Sequence, residues 1–282
     1  MVTGPIRTPA SSGVGWVIKS LTLVKLQFAP LLLIAVLMQM ILGLAQVPLL
    51  GLLIVLSVPV LSAGMLQAFH QAAEGMRPMP TVLFRAFTLS PHRARLLMTG
   101  ALVFAVGFVC ILFGVSGINE LQDPLLLQRL EQGDMNAVYE LGPETLSRIV
   151  LAFAIGVSVS GTLSFFTVPL VWFHDLALGQ SLALGIKGLL GNWKPLLMLA
   201  IGLLIVLFPV LLVVSLVMGM AVSGGWAGTL GTALIVLIAV SFQLVLFGVQ
   251  YCCAREVFPF IEPDKESEPG DEDPKDDDQL LV

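Results

Sequence analysis

Between Pro30 and Cys252 the chain carries six apolar stretches, 30–47, 48–69, 96–118, 149–173, 195–222 and 229–252, with no Asp, Glu, Lys, Arg or His near the middle of any of them. A bilayer hydrocarbon core about 30 Å thick needs roughly 20 such residues per helix. In lipid every backbone N–H and C=O must be paired within the protein, which a helix achieves along its own length. The chain has 282 residues, 57% hydrophobic and only 12% charged, with a mean hydropathy of +0.95. A soluble domain usually carries about twice that charged fraction. No single aqueous core could bury so much apolar surface, so the expected fold class is all-α: a polytopic membrane protein with six transmembrane helices arranged as three hairpins. The first long apolar run begins only at Pro30 and no small-residue cleavage site follows a short apolar core, so a cleaved secretory signal is not expected.

The first two stretches are separated only by Gln46, Val47 and Pro48. Some 40 apolar residues are too many for one span, so the break reads as a tight hairpin, with Pro48 in the first turn of the second helix. Orientation follows from lysine and arginine. Arg7, Lys19, Lys25, Arg77, Arg85, Arg93, Arg95, Lys187, Lys194, Arg255, Lys265 and Lys275 fall on one side of the six spans, and only Arg129 and Arg148 on the other. Twelve against two places both termini in the cytoplasm. The acidic loop 119–147 then faces outward, and the leucines Leu125, Leu126, Leu127 and Leu130 suggest a short helix on that surface.

The net charge of −5 hides a division. Residues 255–282 hold eleven acids and three bases, leaving a mildly basic remainder. Such a tail reads as solvated and disordered, with a basic protein partner as the alternative. The expected organisation is therefore a cytoplasmic N-terminus over 1–28, a six-helix domain over 29–254 and an acidic tail over 255–282. Cys110, Cys252 and Cys253 have neither the spacing nor the setting of a metal site or a disulfide framework.

Each hairpin is expected to follow an amphipathic surface helix. Before the first span, Val14, Trp16, Val17, Ile18, Leu21, Leu23, Val24 and Leu26 alternate with Lys19, Ser20, Lys25 and Gln27. This predicts a helix lying in the interface, Trp16 at headgroup depth and the lysines toward anionic lipid. Segments 81–87, around Arg85, and 181–190, around Lys187, look alike. Two local matches support an internal repeat: Gln27-Phe28-Ala29-Pro30 resembles Asn192-Trp193-Lys194-Pro195, and F-H-x-x-A-x-G occurs at Phe69–Gly75 and again at Phe173–Gly179. In that motif His70 and His174 would cap the last carbonyls of the second and fourth spans, with Gly75 and Gly179 turning the chain. Alternatively His70 and His174, with Arg85 and Lys187, form a cytoplasmic site for anionic headgroups.

In the fourth span Gly156, Ser160 and Ser164 fall four residues apart on one face. Small residues allow close backbone approach and hydroxyls bond across helices, which suggests a central packing helix or, alternatively, one lining a polar cavity. Val58-Pro59 and Val168-Pro169 are candidate kinks. There is no phosphate-binding loop, no paired CxxC and no HExxH, and the three histidines all lie at span ends. No catalytic residue, cofactor or metal is assigned, and an enzyme is not expected. The absence of ionisable residues within the spans argues against proton coupling, although Gln39 and Gln243 leave a neutral-solute path open. The expected partners are membrane lipids and, through the tail, a protein; nothing calls for nucleic acid.

Gly15-Trp16, Pro30, Val58-Pro59 with Ala63-Gly64, and Asn192-Trp193-Lys194-Pro195 together resemble a group of uncharacterised bacterial six-span inner-membrane proteins. That group is loosely similar to the membrane domain accompanying some glycerophosphodiester phosphodiesterases. The resemblance covers most of 14–255 and implies a multi-pass protein of a bacterial inner membrane. It brings no activity and no catalytic residue. The expected role is a non-enzymatic scaffold or accessory protein that engages lipid or a partner; the alternative is a transporter or channel component for small or lipid-like solutes.

Overall fold

The long apolar stretch after Pro30 is cut where the sequence breaks it. The computed structural model describes residues 4–116, 118, 123–132, 136, 140–222 and 225–259. In it, helix α2 (Phe28–Gly43) tightens into a 3-10 turn at Leu44–Gln46, Val47 is extended, and α3 (Pro48–Ala73) begins on its proline. A residue before proline avoids the helical region, which ends one helix and lets the proline open the next. A Cβ on Gly51 would lie 2.7 Å from the Ala45 carbonyl oxygen, so the turn closes against a bare glycine.

Two further hairpins follow. Helix α5 (Ser90–Val115) pairs with a longer helix, Pro143–His174, after a short one, α6 (Pro124–Glu131), in the intervening segment. Asp123 caps α6 by accepting from the Leu125 N–H at 2.9 Å. The Pro143–His174 helix is α7. After α8 (Leu178–Gly191) come α9 (Trp193–Val222) and α10 (Gly225–Val257). The fold is all-α, and six of its helices are long and apolar enough to cross a membrane. The shares of these spans buried inside the protein run from 11% to 50%, so most of their apolar surface is left for lipid.

The packing is that of a membrane bundle. Along 152–157 of α7 and in α8 small residues look inward and large ones outward: Ala152 and Gly156 are buried while Phe153 and Val157 are exposed, and Ser181, Gly185 and Gly188 are buried while Ile186 and Leu190 are exposed. Lipid is as apolar as leucine, so large side chains gain little by turning inward, whereas small ones let backbones approach. Helices α5 and α7 show this best. Ser160 Oγ donates to the Val103 carbonyl at 3.0 Å, and a Cβ on Gly156 would lie 2.8 Å from the Gly107 carbonyl oxygen. Ser164 instead turns its hydroxyl back to the Ser160 carbonyl of its own helix at 2.6 Å. Helices α3 and α7 continue through Pro59 and Pro169, and α9 through Pro209.

The apolar core is concentrated at the end of the bundle where α1 and the close of α10 lie, here called the basal end. The surface-helix expectations change there. Helix α1 (Ser12–Leu26) is docked on protein: Trp16 is 0% exposed, and a Cβ on Gly13 would lie 2.0 Å from the Pro195 carbonyl oxygen of α9. The Trp16 indole is thus covered by protein and not offered to headgroups, because α9 and α10 supply a face for it. Segment 81–87 is a 3-10 turn, Pro80–Phe84, followed by the single-turn helix α4 (Arg85–Thr88), and it folds back along α3. A Cβ on Gly64 would lie 2.3 Å from the Leu83 carbonyl oxygen. Segment 181–190, within α8, is a regular helix with Ile186 and Leu190 exposed, and α1, although docked, likewise keeps Ile18, Leu21 and Leu26 exposed.

Gly75 takes the left-handed conformation (φ 72°) and turns the chain after α3. Its proposed counterpart Gly179 lies inside α8, and the left-handed residue after α7 is Asp175 (φ 53°). Helix α3 runs on to Ala73, whereas α7 stops at His174, so the two F-H-x-x-A-x-G copies end their helices differently. The tail boundary also moves. Arg255, Glu256 and Val257 belong to α10 and Phe258 is buried, because Glu256 finds partners on α1 and Phe258 packs on Phe166. The rest of the acidic tail, 260–282, lies outside the described residues.

Candidate functional site at the basal end

Three groups of polar side chains meet at the basal end. Residues before α1 form a strap laid across the junction of α8, α9 and α10. Asn192 reads it. This side chain is 0% exposed, yet all its hydrogen-bonding capacity is used. Its Oδ1 accepts from Thr8 N at 2.8 Å and Thr8 Oγ1 at 3.1 Å, while Nδ2 donates to the carbonyls of Ile6 and Gly188, each at 3.1 Å. A buried amide is stable only when donors and acceptors are matched this way. Ile6 N also donates to the Val257 carbonyl at 2.9 Å, closing the strap on the end of α10.

A second joint ties α1 to α10. Ser20 Oγ, buried, donates to the Val245 carbonyl at 2.8 Å, and a Cβ on Gly248 would fall 2.3 Å from that hydroxyl. About three turns further along α10, Glu256 accepts from Ser12 Oγ at 2.6 Å and pairs with Lys19 at 2.9 Å. The Gly15-Trp16 start and the Asn192-Trp193-Lys194-Pro195 element, far apart in the chain, thus belong to one structural joint.

The third group gathers the ends of α3, α5, α7 and α10. His70 Nδ1 lies 3.2 Å from the Tyr251 hydroxyl, its ring meets Phe173 edge-on at 5.5 Å, and Arg255 donates to the same hydroxyl at 3.3 Å. Beside it, Trp172 Nε1 donates to Gln67 Oε1 at 3.0 Å and stands edge-on to His92 at 5.4 Å. Asp175 accepts from Arg95 through both its carbonyl and its carboxylate, and His92 Nε2 lies 3.3 Å from that carboxylate. A left-handed Asp is tolerated because its short polar side chain can bond locally. Here it does so to α5, locking the start of that span to the end of α7.

Of the four candidate headgroup residues, the two histidines are engaged with protein. His70 meets Tyr251 and Phe173, and His174, at the last turn of α7, hydrogen-bonds to the backbone of Phe258. Arg85 and Lys187 are exposed on separate elements, α4 and α8. Arg85 shares an open cleft with Arg77, a residue that sequence reasoning counted only toward orientation. Gln39 is exposed on α2, and Gln243, partly buried on α10, has no hydrogen-bond partner for its Oε1 among the described residues. Among the described residues no three His, Cys, Asp or Glu side chains converge as metal ligands would, and the three cysteines are free thiols.

These features define a polytopic α-helical membrane protein with three groups of interlocked polar contacts at its basal end. Comparison of the chain with protein-family models, with curated proteins and with solved structures finds no match to any of them.

Proposed function

We propose that this chain is a non-enzymatic scaffold or accessory protein of a bacterial inner membrane, with both termini in the cytoplasm, that engages anionic lipid headgroups or a partner through its basal face. One observation carries the reading. Arg7, Lys25, Arg77, Arg85, Arg93, Lys187 and Lys194 are exposed around the basal end, and none has a carboxylate partner among the described residues. The other basic groups described there are already engaged, Lys19 by Glu256, Arg95 by Asp175 and Arg255 by Tyr251. Unpaired cations beside a bilayer attract anionic lipid by about 1 kcal/mol each, and the same bias favours that end staying in the cytoplasm. The interlocked joints around Asn192, Glu256 and Asp175 favour a rigid platform over a moving carrier. A second reading, a transporter or channel component for small or lipid-like solutes, draws on Gln243, whose unpaired Oε1 lies within a span.

The test is purification of the full chain in native lipid, followed by identification of the lipids and proteins retained. Enrichment of anionic lipid over the surrounding membrane, or a stoichiometric protein partner, is expected. Bulk lipid composition with no partner would overturn the reading, and solute flux in reconstituted vesicles would favour the second one.

A further inference from the structure

The cleft beside α4 has features that the rest of the basal surface lacks. It holds about 590 Å³ and is lined by Arg77 and Arg85, by the polar Gln71 and Thr81, and by an apolar wall that includes Met79 and Phe84. Both guanidinium-bearing residues are exposed, and neither has an ion-pair partner among the described residues. Met79 is 70% exposed and Phe84 41%, so the wall is uncovered. The second basal cleft, about 510 Å³ beside α1, provides the contrast. Its Lys19 is already paired with Glu256 and its Arg255 with the Tyr251 hydroxyl. Depth matters too. The Leu83 backbone rests on Gly64, nine residues before the end of α3. At 1.5 Å per residue that is about 13 Å along the helix, while Gln71 and Arg77 of the cleft lie at its end, so the cleft runs beside the last turns of a span.

We propose that this cleft binds the phosphate of an anionic glycerophospholipid, with Arg77 and Arg85 on the phosphate and an acyl chain along Met79 and Phe84. The inference rests on the lipid-engaging reading above and gives it a specific site. Guanidinium groups match phosphate oxygens with paired, charge-assisted hydrogen bonds. Methionine is flexible and polarizable, which suits a wall facing chains of varied shape.

The test uses the full chain in mild detergent, titrated with dioleoylphosphatidylglycerol or dioleoylphosphatidylcholine, with bound lipid counted by native mass spectrometry. Retention of phosphatidylglycerol is expected to exceed that of phosphatidylcholine. The Arg77→Gln/Arg85→Gln variant should lose that preference by about tenfold or more, with thermal unfolding unchanged because both side chains are exposed. Lys187→Gln/Lys194→Gln removes the same charge elsewhere on the face, outside the cleft, and should weaken the preference clearly less than the arginine pair does. Equal loss in the two double variants would reduce the effect to general charge and overturn the site. If the wild-type chain shows no preference at all, the broader lipid-engaging reading falls with it. Inorganic phosphate separates the two sources of the anion: Met79→Ser should weaken phosphatidylglycerol and leave phosphate competition unchanged. Millimolar phosphate that displaces the lipid completely, with Met79→Ser without effect, would make the ligand a free anion and overturn the lipid assignment.

Discussion

Two glycines in α1, two residues apart, should respond to alanine in opposite directions. A Cβ on Gly13 would lie 2.0 Å from the Pro195 carbonyl oxygen and 2.6 Å from Leu199 N, both backbone atoms of α9. Ordinary contact needs more than 3 Å, so α1 must retreat by about 1 Å or α9 must bend. Overpacking of this kind costs about 1–3 kcal/mol. The retreat also loosens the fully covered Trp16, whose burial depends on the same approach. At Gly15 a Cβ would meet nothing within 4 Å. There alanine should stabilise by up to about 0.5–1 kcal/mol, the helix-propensity difference between the two residues. Denaturant unfolding in detergent micelles, followed by tryptophan fluorescence, measures both. Gly13→Ala is expected to unfold earlier than the parent and Gly15→Ala no earlier. A Gly13→Ala protein as stable as Gly15→Ala would show that α1 does not sit on α9, and the docked helix would be wrong.

Ser160→Leu should destabilise by about 1–3 kcal/mol, since the side chain faces α5 with its hydroxyl on the Val103 carbonyl; unchanged unfolding would put that face toward lipid. Asn192→Ala leaves Thr8 N and the Ile6 carbonyl without their buried partner. It should cost about 2–4 kcal/mol, with faster proteolysis before α1, and a strap as protease-resistant as the parent's would contradict the role given to this amide. Removal of 263–282 should leave insertion and thermal unfolding unchanged, because acids and the helix-breaking Pro263, Pro269, Gly270 and Pro274 fill that segment; a lower unfolding temperature would show that the tail docks.

The spans could be read from the sequence because lipid imposes a simple length and polarity test, and Gln46-Val47-Pro48 announced its own turn. What escaped were choices that depend on a distant partner. Trp16 looks the same whether lipid or α9 and α10 cover it, and the residues that cover it lie some 180 positions later. An acid after an apolar run looks solvated, so the sequence puts Glu256 in the tail, but Ser12 and Lys19 hold it to α1. Asn192 belongs to a sequence motif, yet its task of reading the Thr8 and Ile6 backbone exists only when the strap before α1 reaches the α8–α9 junction. The F-H-x-x-A-x-G match suggested two like turns, whereas Asp175 makes the second one because Arg95 and His92 bond to it there. Arg77 drew no particular attention because nothing local marks an arginine as unpaired.

The claim that matters most is that the cation-rich basal end faces the cytoplasm, where it can meet anionic headgroups. Single cysteines placed at Arg85, Asp134 and Gly224, in a chain with Cys110, Cys252 and Cys253 replaced by alanine, test it directly with a membrane-impermeant maleimide on intact cells. Labelling is expected at positions 134 and 224 without permeabilisation, and at position 85 only after it. Labelling at position 85 in intact cells would invert the protein in the membrane and contradict the proposed function.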